Sequence, residues 1–164
     1  MSDRTVRAAG VPRWVRIFSR ILQFLLAAGV PLGPNRLITI RGRKSGLPRT
    51  TAVAVIPISG RRWVWAPWGE VNWVRNLRAA GRATIMMRDA KEEVVATELN
   101  PSQRAEFFRD IYGPFARGIP FAVWFVRIVD GVDLAKPLEA AEGRPVFELH
   151  PPSLDRSVGA SGRD

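Results

Sequence analysis

Leu37-Ile38-Thr39-Ile40-Arg41-Gly42-Arg43-Lys44-Ser45-Gly46-Leu47-Pro48-Arg49-Thr50 is the stretch on which the fold turns. A short run rich in branched residues, Arg36–Arg41, leads into a loop with two glycines. A second such run, Thr50–Ile58, follows it. Branched residues suit a pleated surface and turn residues bound them, so the stretch reads as two strands around a tight basic loop.

Working outward, Arg61–Ala66, Ala83–Arg88 and Glu92–Leu99 have the same character. Ser59-Gly60 suits a two-residue hairpin turn, and Asp89-Ala90-Lys91 is placed as the turn between the last two runs. One helix is expected between Ala66 and Gly81, with Trp73, Asn76, Leu77 and Ala80 on one side and Gly81 as its C-cap. Asn100, Pro101 and Gln103 form an N-cap signature for a helix running to about Tyr112, where Gly113-Pro114 should end it. Residues 119–129 read as an apolar helix or a lid, Pro145–His150 as a last strand, and 151–164 as a frayed tail. Strands linked by hairpins with a helix inserted among them predict a mainly β, α+β fold: an antiparallel barrel or sheet, not βαβ units.

Ahead of the strands, Pro12 suits a helix start, and residues 13–28 place Arg13, Arg16, Arg20 and Gln23 on one stripe against Trp14, Ile17, Phe18 and Leu22. Such a helix either packs on a core or lies in the surface of an anionic membrane. Arg20 and Gln23 interrupt it, so it does not read as a membrane span, and no small-residue cleavage site follows it. The expected organisation is an arm and amphipathic helix over 1–35, a β domain over 36–150 and a tail over 151–164.

Composition narrows the chemistry. At 164 residues and 46% hydrophobic, the chain can bury one core without disulfides. There is no cysteine, which removes thiolate nucleophiles and cysteine-rich zinc sites and accords with a cytoplasmic protein. His150 is the single histidine, so no multi-histidine metal site is expected. Residues 1–49 hold ten Arg or Lys against one acid, Asp3, and so carry nine of the ten units of net positive charge. That asymmetry calls for an anionic partner: nucleic acid, anionic lipid, or a phosphorylated or carboxylated cofactor.

Two groups of residues suit a site. In Gly42–Arg49, two glycines expose backbone N–H groups among Arg43, Lys44, Arg49 and the Ser45 hydroxyl, a combination suited to phosphate. The order is not that of a P-loop, and a solvated basic turn is the competing reading. Trp63, Trp65, Trp68 and Trp73 lie close in sequence. Strand alternation puts Trp63 and Trp65 on one face, where filling a core is the plainer role; Trp68 sits in a turn beside Gly69. Asn76 suits capping, packing or binding.

Together, the Leu37–Thr50 stretch, Gly69-Glu70-Val71-Asn72-Trp73-Val74-Arg75-Asn76-Leu77-Arg78-Ala79 and Arg144-Pro145-Val146-Phe147-Glu148-Leu149 resemble the deazaflavin-dependent nitroreductase family, relatives of the FMN-binding split barrels. The likeness is good over about residues 30–100. It implies a split β-barrel using reduced coenzyme F420 to reduce quinones, nitro compounds or activated alkenes. It places the cofactor's phosphate and oligoglutamate tail on Gly42, Arg43, Lys44, Ser45, Gly46 and Arg49. The deazaflavin ring would lie along Thr51-Ala52-Val53 and Ala66-Pro67-Trp68-Gly69, bordered by Trp73 and Asn76. Tyr112 is the expected proton donor. Phe107, Phe108, Ile111, Phe115, Phe121, Trp124 and Phe125 are the expected wall for a lipophilic acceptor, against a role in core or dimer interface. The protein would act as monomer or homodimer in the cytoplasm, with residues 13–28 available to the inner membrane face. Competing readings keep the fold with FMN as cofactor, or make it a non-catalytic carrier or lipid-binding protein; nucleic-acid binding ranks behind these.

Overall fold

The computed structural model describes residues 33–87 and 90–152. The expected helix over 13–28 and residues 153–164 of the expected tail lie outside them.

Among the described residues seven strands form one antiparallel sheet: β1 (Asn35–Arg41), β2 (Pro48–Ala54), β3 (Ile56–Ile58), β4 (Arg61–Trp65), β5 (Arg82–Met87), β6 (Ala90–Glu98) and β7 (Val146–His150). Their order is β2-β1-β5-β6-β7-β4-β3. Alternation does the sorting along β1: Ile38 and Ile40 are buried, while Thr39 faces out and its hydroxyl meets that of Thr50 at 2.8 Å. Arg41 pairs with Pro48, which leaves Gly42–Leu47 as the loop.

The expected run Thr50–Ile58 divides at Val55. β2 pairs with β1, but β3 pairs with β4 at the other end of the sheet, and the Val55 N–H donates to Pro34 O at 2.9 Å. That change of partner curls the sheet, and β2 comes to lie against β4, which it does not pair with. The result is a curled half-barrel of the split-barrel kind. Ser59 (φ 51°) and Gly60 (φ 74°) are the two central residues of the β3–β4 turn, both left-handed as a type I′ turn requires. The turn expected at Asp89-Ala90-Lys91 is shorter: Ala90 pairs with Met87 and Lys91 with Met86, so the ladder continues through both.

The inserted helix, α1 (Asn72–Ala80), ends on Gly81 at φ 65°, whose N–H reaches Leu77 O at 2.8 Å. It drops Val74 and Leu77 into the curl of the sheet beside Ile38, Ile40, Val64, Ile85, Val94 and Phe147. A second core lies on the opposite face of β4 and β7. It joins Trp63, Trp65 and Val146 to Phe107, Phe108, Tyr112 and Val132. Strand alternation divides β4 between the two cores, with Val64 in the first and its two tryptophans in the second.

Helices cover this second core: α2 (Pro101–Glu106), a π-helical segment Phe107–Tyr112, α3 (Gly113–Arg117), α4 (Ala122–Val129) and α5 (Pro137–Ala141). Asn100 and Gln103 form the expected reciprocal cap, each side chain accepting from the other's backbone N–H at 2.9 Å. Gly113-Pro114 does not end the helix. The wider π register lets the chain pass: the Gly113 N–H bonds Phe108 O, five residues back, and Pro114 sits in the first turn of α3, where no N–H is needed. Two residues of the expected acceptor wall, Phe107 and Phe108, are instead fully buried, each in ring contact with Tyr112. Phe121 stands 84% exposed.

Candidate functional site

Between the Gly42–Leu47 loop and α1 lies a cleft of about 580 Å³. The loop is closed on itself: the Gly42 N–H donates to Leu47 O (2.9 Å) and the Gly46 N–H to Gly42 O (2.8 Å). A side chain at Gly42 would crowd Leu47 O and the Ser45 hydroxyl, both 3.1 Å from a Cβ there. Asn76, only 8% exposed on α1, anchors the loop from below. Its Oδ1 accepts from the Arg43 N–H (3.3 Å) and from Arg43 Nη1 (2.9 Å). A buried carbonyl satisfied twice in this way holds the loop at a set distance from the helix.

Arg43, Lys44, Ser45 and Arg49 line one side of the cleft, Thr50 and Thr51 its floor, and Trp73 and Asn76 the helix side. The cations are the telling feature. On the strands and α1, Arg61, Arg62, Arg75 and Arg78 pair with carboxylates, while among the described residues Arg36, Arg41 and Arg82 do not; the cleft is distinguished by three such cations meeting at one opening. Among the described residues, Arg43, Lys44 and Arg49 pair with none. Nor do the Lys44 and Ser45 backbone N–H groups donate within the loop. Among the described residues, three cations without a carboxylate partner, two amides without a bond in the loop and three hydroxyls thus surround an open cleft beside the Trp73 ring, a donor set of the kind that suits a phosphate or carboxylates.

The other expected residues fall elsewhere. Gly46 (φ 69°) lines a smaller cavity of about 270 Å³ with Arg41 and Arg82. Val53 and Ala66 are buried in the first core. Ala52, Pro67, Trp68 and Gly69 are not among the residues lining the cleft. Ala66–Gly69 is a turn leading into α1, closed by the Gly69 N–H on Ala66 O at 3.2 Å. Tyr112 is 6% exposed within the second core, its ring stacked on Phe107 at 5.7 Å and edge-on to Trp65 at 5.5 Å. Burial raises its hydroxyl above the ordinary tyrosine range, the charge of Asp130 adds to the rise, and the Trp65 indole offsets part of it. The Tyr112 hydroxyl therefore stays protonated at neutral pH.

Sequence reasoning passed over Asp130, and took Arg144 only as part of the Arg144–Leu149 stretch, with no role of its own. Burial pushes the Asp130 carboxyl up to about 6, although the charge of Arg144 pulls it down. An ordinary unfolded aspartate titrates near ~3.9, so the folded state holds this proton more tightly. Stability from this group is thus full below the unfolded value and is lost as pH rises through about 6. Chemical denaturation of Asp130→Asn is expected to remove that part of the pH dependence, gaining on the order of 1–2 kcal/mol over wild type at pH 7.5 and little at pH 4.

A curled antiparallel half-barrel with a basic loop over an open cleft defines a protein of the split-barrel class. The chain belongs to the F420H(2)-dependent quinone reductase family, which matches residues 14–116. It is therefore an oxidoreductase that works with coenzyme F420. Among solved structures it is similar to an F420-H2 dependent reductase at 19% identity, over 71% of this chain and 94% of that one, with a TM-score of 0.48. A conserved hypothetical protein from Mycobacterium tuberculosis is similar at 18% identity, over 79% and 80%, with a TM-score of 0.49. A protein of the pyridoxinephosphate oxidase family from Clostridium acetobutylicum is similar at 10% identity, over 82% and 84%, with a TM-score of 0.45. No curated protein matches the chain. The family assignment rests on the family match alone.

Proposed function

We propose that the chain binds the phosphate and oligoglutamate end of reduced coenzyme F420 in the cleft between the Gly42–Leu47 loop and α1, and reduces a lipophilic acceptor of the quinone class. The observation that carries this reading is the set of cations Arg43, Lys44 and Arg49 that, among the described residues, have no carboxylate partners around that cleft. An uncompensated cluster of like charges costs stability, and a multiply anionic ligand relieves it. The bound coenzyme supplies the hydride. The chain's own share is to hold and shield: Asn76 fixes the loop, the cations and free amides grip the anionic end, and Trp73 walls the cleft.

The family's name, F420H(2)-dependent quinone reductase, supports a quinone as the acceptor. Nitro compounds and activated alkenes are the alternatives. Turnover of the reduced coenzyme, followed by its visible absorbance, separates the three when a naphthoquinone, a nitroaromatic and an enone are offered in turn. Fastest reoxidation with the quinone supports the proposal. Turnover with the nitroaromatic or enone alone would replace the acceptor, and coenzyme binding without turnover on any of them would make the chain a carrier. Contact with an anionic membrane was expected of residues 13–28, outside the described residues. Among the described residues no helix is long and apolar enough to cross a membrane.

A further inference from the structure

Arg144 precedes β7 and is half-buried, yet among the described residues it makes no ion pair. Its guanidinium is spent on backbone carbonyls from three separate places. Nε donates to Pro67 O at 3.2 Å. Nη1 donates to Glu139 O at 3.1 Å and Ala140 O at 3.3 Å, both in α5. Nη2 donates to Gly131 O at 3.2 Å, just beyond α4. Burial lowers its affinity for its proton, and the field of Asp130 restores part of it.

The contact with Pro67 is the one with reach. Pro67 belongs to the turn that leaves β4 and enters α1, and α1 opens with Asn72 and Trp73, both lining the cleft. The neighbouring bond, the Ala66 N–H on Pro145 O at 3.0 Å, ties the same turn to the same short segment. Within the segment the Gly69 N–H bonds Ala66 O at 3.2 Å, Gly69 O accepts from the Val71 N–H at 2.8 Å, and Arg78 holds Glu70 from α1; among the described residues Arg144 is the side chain that joins Pro67 to α5 and the end of α4. A planar five-donor fork is the side chain that can grip a turn and two helix ends at once; a lysine cannot.

We propose that Arg144 is a positioning residue that sets the Pro67-Trp68-Gly69 turn, and so fixes the helical cap over β4 and β7 relative to the cofactor cleft. Its effect on catalysis runs through the half-buried Trp68 and the first turn of α1, and that part rests on the reading of the cleft given above. Its effect on the turn does not.

Two arms test it, on the full chain. In the first, without coenzyme, amide hydrogen exchange is followed in Arg144→Lys, which keeps the charge and loses the fork. Exchange at Ala66, Gly69 and Val71 is expected to quicken about tenfold, the size that follows from losing a hydrogen bond with a charged donor, with β1 and β5 unchanged. Unaltered exchange at those amides in both Arg144→Lys and Arg144→Ala overturns the proposal. In the second arm, coenzyme affinity in Arg144→Lys stays within about twofold while kcat/KM for the quinone falls about tenfold. In a Trp68→Ala background the same change then adds less than about twofold, because both act through one turn. Losses that multiply would overturn the link to Trp68. A wild type that neither binds nor oxidises the coenzyme would sink the reading of the cleft, and the exchange arm would still decide the role of Arg144.

Discussion

An Arg43→Ala, Lys44→Ala double variant will bind the reduced coenzyme at least about a hundredfold more weakly than wild type, since each charge-assisted contact contributes on the order of 1.5–3 kcal/mol. Both side chains line the cleft, and among the described residues neither has a carboxylate partner to lose, but Arg43→Ala does remove the Nη1 bond to the buried Asn76 Oδ1, leaving that oxygen the Arg43 N–H alone. Relief of like-charge crowding should offset part of that loss, so stability is expected to fall by no more than about 1 kcal/mol. Wild-type affinity should fall steeply with added salt and the variant's much less, because the interaction removed is the screened one. Asn76→Leu tests the same loop from beneath: it removes the acceptor for two Arg43 donors and should cost about tenfold in affinity with the charges intact. Calorimetric titration at two ionic strengths reads all of this. A double variant that binds like wild type would mean that the loop is merely a solvated turn.

The second large effect falls on the cap. A Cβ placed on Gly113 would lie 2.6 Å from Phe108 O, a distance that backbone cannot tolerate. Gly113→Ala must therefore push apart the π-helical segment and α3, and with it the packing of Phe107, Phe108 and Tyr112 on the two strand tryptophans. A loss of about 2–3 kcal/mol is expected, with a fall of roughly 5–10 °C in melting temperature. Gly118→Ala is the matched control. Its backbone is right-handed and its nearest neighbour, Phe115 O, lies at 3.4 Å, so stability should stay within about 0.5 kcal/mol. Equal effects at the two glycines would contradict the close approach at Gly113.

What the sequence disclosed and what it hid divide by range. The Ser59-Gly60 turn, the Asn100–Gln103 cap and the Gly81 C-cap are decided within a few residues, and all three stand as read. The break at Val55 was hidden because nothing local ends that run; it ends because β2 and β3 find partners at opposite ends of the sheet. Gly113-Pro114 reads as a stop only if the register is α-helical, and the π segment before it removes that premise.

At the site, the basic loop was legible because charge and glycine sit together in one stretch. Its anchor was not derivable from spacing, since Arg43 and Asn76 lie 33 residues apart; only the resemblance joined them. The Ala66–Gly69 turn was expected along the deazaflavin ring; that its Pro67 O accepts from Arg144, 77 residues away, leaves no mark in sequence.

The central claim is that this cleft is made for a multiply anionic deazaflavin. Quenching of the six tryptophans on titration with coenzyme F420 and, separately, with FMN tests it most directly. The account predicts saturable quenching by F420, at least about tenfold tighter than by FMN, since one phosphate engages fewer of the free cations than a phosphate with a glutamate tail. Equal or tighter binding of FMN, or binding of neither, would contradict it.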